Sequence, residues 1–306
     1  MEVASKYLMW STLFLPPALL LFLRRKYSSV RRPPGPMGLP IFGNMFNLGA
    51  MPHRTLAGFA DQYGPLVSLK LGSVNTVAVL TAKAATEFFK KQEPNFMERC
   101  PIETMRSHNY HEGSLFLAPP STYWRVVKRI CTHEIFANKR INDTAYIRQK
   151  CVDELVLWFE KEIRERKDDR KGVEVALFVF LALFNMIGNL VFSRDLVDPN
   201  SKTGSEFFDA MMGIMELSGT PNVSDFLPWL KWLDLQGLRK RMDGDMSKVL
   251  EISSGFVKER LKEREAGANK TNDFLDVLLD YEGTEGKDEP AKLTEKEITI
   301  IISVIF

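Results

Sequence analysis

Apolar positions recur along this chain with two different periods, and each change of period marks an element. Leu56, Phe59, Ala60 and Tyr63 fall at helical spacing, and Gly64-Pro65 stops that pattern. LVSLKLG at 66–72 and TVAVLT at 76–81 alternate apolar with polar, with Gly72, Ser73 and Asn75 between them, which predicts a β-hairpin. AKAATEFFKKQ at 82–92 returns to the helical period. Residues 100–123 mix prolines and glycines with aromatics and histidines and predict a long irregular loop, a kind that in a compact domain usually carries function. From Trp124 onward helical patterns dominate, punctuated at Asp198-Pro199, Gly219-Thr220-Pro221 and 282–290. The whole pattern predicts a mainly α fold with a small β-sheet near its N-terminus.

Three apolar runs need separate explanations. Residues 7–23 are uncharged and just long enough to span a bilayer, with Trp10 suited to an interface. Arg24, Arg25, Lys26, Arg31 and Arg32 follow, and no small-x-small cleavage site does, so a retained anchor is preferred to a cleaved signal peptide. Positive charge stays cytosolic, which puts the N-terminus in the lumen and the body in the cytosol. Residues 175–192 are also uncharged, but Asn185, Gly188 and Asn189 within them, and a basic flank missing on one side, predict a buried core helix rather than a second span. In the third run, Thr294 and Glu297 form a T-x-x-E capping box ahead of Ile298, Ile300, Ile301, Ile302, Val304, Ile305 and Phe306. This predicts a helix apolar on nearly every side, built for the centre of a domain, with no later sequence to cover it.

The organisation that follows is a signal-anchor at 1–23, a basic stop and Pro-rich neck at 24–44, and a body at 45–306. In the neck, Pro33, Pro34, Pro36 and Pro40 hold the chain extended, as a linker or as a stiff spacer against the bilayer. Composition fits a globular body: 306 residues, 45% apolar and 26% charged. A formal net charge of +2 gives no general attraction to nucleic acid. Cys100, Cys131 and Cys151 form no disulfide framework, as expected in a reducing compartment. The sequons at Asn142, Asn222 and Asn269 are then expected to go unused. The absence of G-x-S-x-G, G-x-G-x-x-G and Walker patterns argues against a hydrolase, a dinucleotide-binding dehydrogenase or an NTPase. His108 and His111 stand three apart without a supporting Cys or carboxylate cluster, which favours loop polarity over a metal site.

The most informative stretch for chemistry is YWRVVKRICTHEIF at 123–136. On a helix Trp124 and Lys128 share a face, with Arg125 adjacent and Arg129 one step on. An indole N–H beside cations can hold the carboxylates of a cofactor; the same spacing also suits a solvated basic face. SDFLPWLKWLDLQGLRKRM at 224–242 joins an apolar half to a basic half, which fits either core packing or a membrane surface.

The apolar anchor, the basic stop and the neck RRPPGPMGLPIFGN at 31–44 resemble the N-terminal layout of the microsomal cytochrome P450 monooxygenases. HRTLAGFADQYGPLVSLKLG at 53–72 resembles their first helix and first strand, and the rest of the chain continues in register. NLVFSRDLVDPNSKTGSEFFDAMMGIMELSGTPNVSDF at 189–226 is similar to a plant subgroup that oxidises terpenoids, iridoids and some alkaloids, of the geraniol 8-hydroxylase type. The resemblance implies the front portion of that fold, truncated in its central oxygen-binding helix, behind one transmembrane helix. It implies a haem cofactor, O2, electrons from an NADPH-dependent reductase, a hydrophobic small-molecule substrate and an endoplasmic reticulum membrane location. It places Trp124, Arg125 and Lys128 at a W-R-x-x-R motif that pairs with a haem propionate, with lysine in the fifth position and APPSTYW where the family has YGPYW. It places Phe116, Met212 and Leu217 along the substrate pocket. The axial cysteine loop, the E-x-x-R helix and the A-G-x-[DE]-T-[TS] step are not found in this sequence, so no catalytic or metal-ligating residue is expected within it and the chain alone is expected to be inactive. The rival expectation is a non-enzymatic, membrane-anchored helical protein that binds a partner or a small lipid.

Overall fold

The computed structural model describes residues 32–165, 172, 175–197, 202–283 and 288–305. The expected anchor at 7–23 and the terminal Phe306 lie outside the described residues. The chain divides into two compact units, residues 1–91 and 92–306.

The first unit is built around the hairpin. Helix α1 (Pro52–Tyr63) ends where expected, at Gly64, whose φ of 93° lies in the left-handed region open to glycine. Strands β1 (Leu66–Leu71) and β2 (Val74–Val79) pair antiparallel from Leu66↔Val79 to Leu71↔Val74. That register leaves only Gly72 and Ser73 in the turn and puts Asn75 in β2 opposite Lys70, a correction to the longer expected connection. Val67 and Leu69 point to the covered face of β1, as the alternation requires. Helix α2 (Ala82–Lys91) follows. The described neck residues are not a free-standing spacer. Ser68 N–H donates to Pro34 O at 2.9 Å, Lys70 N–H to Asn44 Oδ1 at 2.9 Å, and Asn44 Nδ2 to Pro36 O at 3.1 Å. A Cβ at Gly35 would collide with Ser68 O, so glycine permits this close approach of the neck to β1.

The second unit is helical throughout its described elements. They run α3 (Thr122–Glu134), α4 (Asn138–Asp143), α5 (Ala145–Glu165), α6 (Val175–Phe192), α7 (Lys202–Gly219), α8 (Leu238–Glu265), α9 (Phe274–Leu279) and α10 (Glu295–Ile305). Two apolar clusters form the interior. One gathers Leu217 of α7, Met242, Met246 and Val249 of α8, and Tyr110. The other gathers Val126, Val127 and Ile130 of α3, Val191 and Phe192 of α6, and Phe274, Leu275 and Leu278 of α9.

Helix α10 stands between the two clusters. Ile300 and Val304 enter the first and Ile298, Ile301 and Ile302 the second, which is why this helix is apolar all round. The expectation that nothing covers it is corrected: α3, α6, α8 and α9 bury its isoleucines. Its capping box forms as predicted, with Thr294 N–H donating to Glu297 Oε2 at 2.7 Å and Glu297 N–H to Thr294 Oγ1 at 3.3 Å.

Helix α6 is a core helix only in its second half. Leu181, Phe184, Asn185, Gly188, Val191 and Phe192 are buried, whereas Val175, Leu177 and Val179 are exposed. The residues that argued against a membrane span have a packing reason. Asn185 binds the following 196–197 segment, and a Cβ at Gly188 would strike Leu196 Cγ and, at 2.8 Å, Arg194 O.

Candidate functional site

Helix α3 starts at Ser121, whose Oγ accepts from Trp124 N–H at 3.1 Å. Its first turn holds the preceding loop. Tyr123 OH donates to Gly113 O at 3.1 Å and Trp124 Nε1–H to Leu115 O at 2.9 Å. Burial raises the Tyr123 hydroxyl pKa above its usual range, and the Glu297 charge adds to this, so it remains a neutral donor. The loop at 100–123 is more regular than expected. A 3-10 segment (Thr104–Asn109) leads into one α-turn (Tyr110–Gly113), with His108 and Asn109 at positive φ of 50° and 59°.

The expected basic face is present. Lys128 Nζ lies 4.8 Å from the Trp124 ring centroid, in a cation–π contact one helical turn away. Arg125 and Lys128 are exposed and have no carboxylate partner among the described residues. The indole N–H points elsewhere than the sequence reading placed it: its proton goes to the Leu115 carbonyl, while the cation sits over the ring. Arg129 is taken by a two-point pair with Glu289, at 3.0 and 3.2 Å.

Phe116, Met212 and Leu217 differ in exposure. Phe116 and Met212 are exposed, whereas Leu217 is completely buried in the first cluster. A cavity of about 590 Å³ lies between α8 and α10, lined by His108, Leu250, Glu251, Ser254, Glu295, Lys296, Thr299 and Ile300. A second, of about 360 Å³, has Arg140, Asp143, Asn189, Asp273 and Ile305 in its wall. His108 Nε2 contacts Ser247 Oγ at 2.9 Å and Asp243 O at 3.3 Å, which ties the loop to α8. His111 is half-buried, and burial, with the Arg106 charge, lowers its pKa. No cluster of three metal-ligating side chains occurs among the described residues.

Two of the three cysteines are buried and do not present a thiolate. Cys131 is buried beside Val127 and Ile130 of α3, and burial pushes its thiol up to about 11. Cys151 is also buried and also raised, by burial first and then by Glu154 and Asp195. Arg125 and Lys128 therefore suit the carboxylates of a cofactor, whereas the two buried thiols do not suit a thiolate-bound metal.

Sequence reasoning missed a buried acidic centre at Glu103. Apart from Arg106 three residues on, its partners Asp225, Lys231 and Arg239 lie far along the chain, and no periodic signal joins them. Asn222 is a buried N-cap whose Oδ1 accepts from Ser224 N–H at 2.9 Å, so its sequon is closed in the folded chain.

Known proteins fix the context of this geometry. The family model described as Cytochrome P450 matches residues 33–306. Cytochrome P450 76A2 of Solanum melongena is 49% identical over all of this chain and 61% of its own length. Iridoid oxidase of Catharanthus roseus is 47% identical over 94% of this chain and 56% of its own length, and geraniol 8-hydroxylase of the same plant is 34% identical over 92% and 56%. The chain thus spans roughly three fifths of the length of the relatives it matches. A solved zebrafish cytochrome P450 with progesterone superposes at a TM-score of 0.64 with 21% identity, covering 82% of this chain and 55% of that one.

Proposed function

Because the chain belongs to the cytochrome P450 family, we propose that it serves a membrane-anchored monooxygenase that oxidises an apolar plant metabolite of terpenoid or alkaloid type. The observation that carries this reading is the likeness to iridoid oxidase at 47% identity across 94% of the chain. In this reading electrons come from NADPH through a reductase, and the membrane is that of the endoplasmic reticulum with the body on the cytosolic side.

Haem, the cofactor the family implies, would supply the oxygen activation. This chain would contribute Arg125 and Lys128 to its carboxylates, since both cations are exposed and adjacent on α3. Trp124 would position them, through its ring under Lys128 and its N–H on Leu115 O. The iron ligand would not come from these residues: Cys131 and Cys151 are buried thiols whose pKa burial raises, and Cys100 stands in ERCPI, without the surroundings of the family's ligand loop. We therefore assign no catalytic or metal-binding residue within the chain and infer that the chain alone does not turn over substrate.

Phe116 and Met212, both exposed, would meet a hydrophobic ligand, and the buried Leu217 would shape its pocket through packing. The 3-10 segment Pro228–Leu233 exposes Trp229, Trp232 and Leu233 beside Lys231, which supports contact with a bilayer surface in addition to the N-terminal anchor at 1–23.

The test is the spectrum of the purified chain with haem, reduced and exposed to carbon monoxide. The expected result is no thiolate-haem signal, with haem retention weakened by Arg125→Ala and Lys128→Ala together. A stoichiometric thiolate-haem spectrum would overturn the assignment.

A further inference from the structure

Glu103 is an almost enclosed carboxylate, its side chain 8% exposed, set among three cations. Arg239 Nη1 lies 2.6 Å from Oε1, Lys231 Nζ 2.9 Å from Oε2, and Arg106 Nε 3.8 Å from Oε2. The Glu103 backbone N–H donates to Asp225 Oδ1 at 2.6 Å, so a second carboxylate stands close by. These bonds clamp the loop that begins the 3-10 segment Thr104–Asn109 onto residues 225–239. The two partners of Glu103 from that stretch differ from it in one respect: Lys231 and Arg239 keep 45% and 40% of their side chains in solvent. Lys231 also sits between Trp229 and Trp232, which are 59% and 81% exposed.

We propose that Glu103 is the inner seat of an ionic latch, and that an anionic lipid headgroup competes with it for Lys231 and Arg239. This rests on the reading that the tryptophan segment meets a bilayer. The coupling is electrostatic. A headgroup that draws these two cations outward leaves Glu103 with only the distant Arg106, inside a desolvated site and next to Asp225. An uncompensated buried carboxylate is strongly unfavourable, and opening the loop to water relieves it. The released loop is the one whose His108 and Asn109 already occupy positive φ and whose His108 contacts Ser247 and Asp243 of α8. Contact at the outer tryptophans is in this way transmitted to the loop that carries Glu103.

The experiment follows amide hydrogen exchange of the full chain in phosphatidylcholine vesicles, with and without phosphatidylserine. Wild type is expected to exchange its 103–113 amides at least about tenfold faster when phosphatidylserine is present. Glu103→Gln is expected to be fast in both lipids, and Lys231→Gln, an exposed change that tests the same link if the first variant fails to fold, to lose the lipid dependence. Equal wild-type exchange in the two lipids, or a Lys231→Gln chain that still responds to phosphatidylserine, overturns the latch. Brominated phosphatidylcholine separates the two readings. If Trp229→Phe with Trp232→Phe removes none of the tryptophan quenching, the bilayer contact itself fails, and the latch loses its competitor.

Discussion

Asn185 holds Val197 by both ends of its side-chain amide. Its Oδ1 accepts from Val197 N–H at 2.9 Å and its Nδ2 donates to Val197 O at 2.8 Å, while Oδ1 also accepts from Leu196 N–H at 2.9 Å. A polar residue in the middle of an uncharged helix is thus an anchor, through three hydrogen bonds, for the chain leaving that helix.

Asn185→Leu should be strongly destabilising although leucine suits the helix. It would leave two backbone N–H donors and one carbonyl without partners in a buried place, at a cost of about 3 kcal/mol. The check is the midpoint of urea unfolding at unchanged slope.

Acid sensitivity should trace to Asp276. Its Oδ1 accepts from Arg260 and Arg264 at 3.0 and 2.6 Å, and its Oδ2 from the N–H groups of Thr271 and Asn272 at 2.8 and 2.9 Å. Burial alone would raise its pKa, but these bonds outweigh burial and hold it well below the usual carboxylate range. A depressed folded pKa means that the stabilisation is complete above the ordinary value of 3.8 and is lost as pH falls below it toward the folded value. Asp276→Asn should lower stability at neutral pH and flatten its fall in acid. Unfolding midpoints of both proteins between neutral pH and acid measure this directly.

Thiol reactivity should sort the three cysteines. Cys100 is exposed, whereas Cys131 and Cys151 are buried. Burial pushes the Cys131 thiol up to about 11, so little thiolate is present at mildly basic pH. Iodoacetamide should modify Cys100 first in the folded chain, and all three in denaturant. Mass spectrometry of the labelled peptides reads the order, and rapid folded-state labelling of Cys131 would contradict its packing.

Much of the fold was legible from local pattern. The hairpin followed from its alternation, the end of α1 from Gly64-Pro65, and the start of α10 from the Thr294–Glu297 box. The Trp124–Lys128 face was legible because a helix brings residue i+4 back to the same side. The direction of the Trp124 N–H was not, since Leu115 O is brought to it by the loop rather than by the helix.

By itself the sequence determined the helical character, the small sheet, the all-round apolar helix α10 and membership of a family. Those depend on periodicity, capping and turn residues within a few positions of one another. Tertiary structure alone decided that α10 is covered from two sides, that Leu217 lies in the core, that the neck runs along β1, and that Glu103 collects Lys231 and Arg239. Each of these joins groups far apart in sequence, and burial and charge pairing at such range leave no periodic trace in the order of residues.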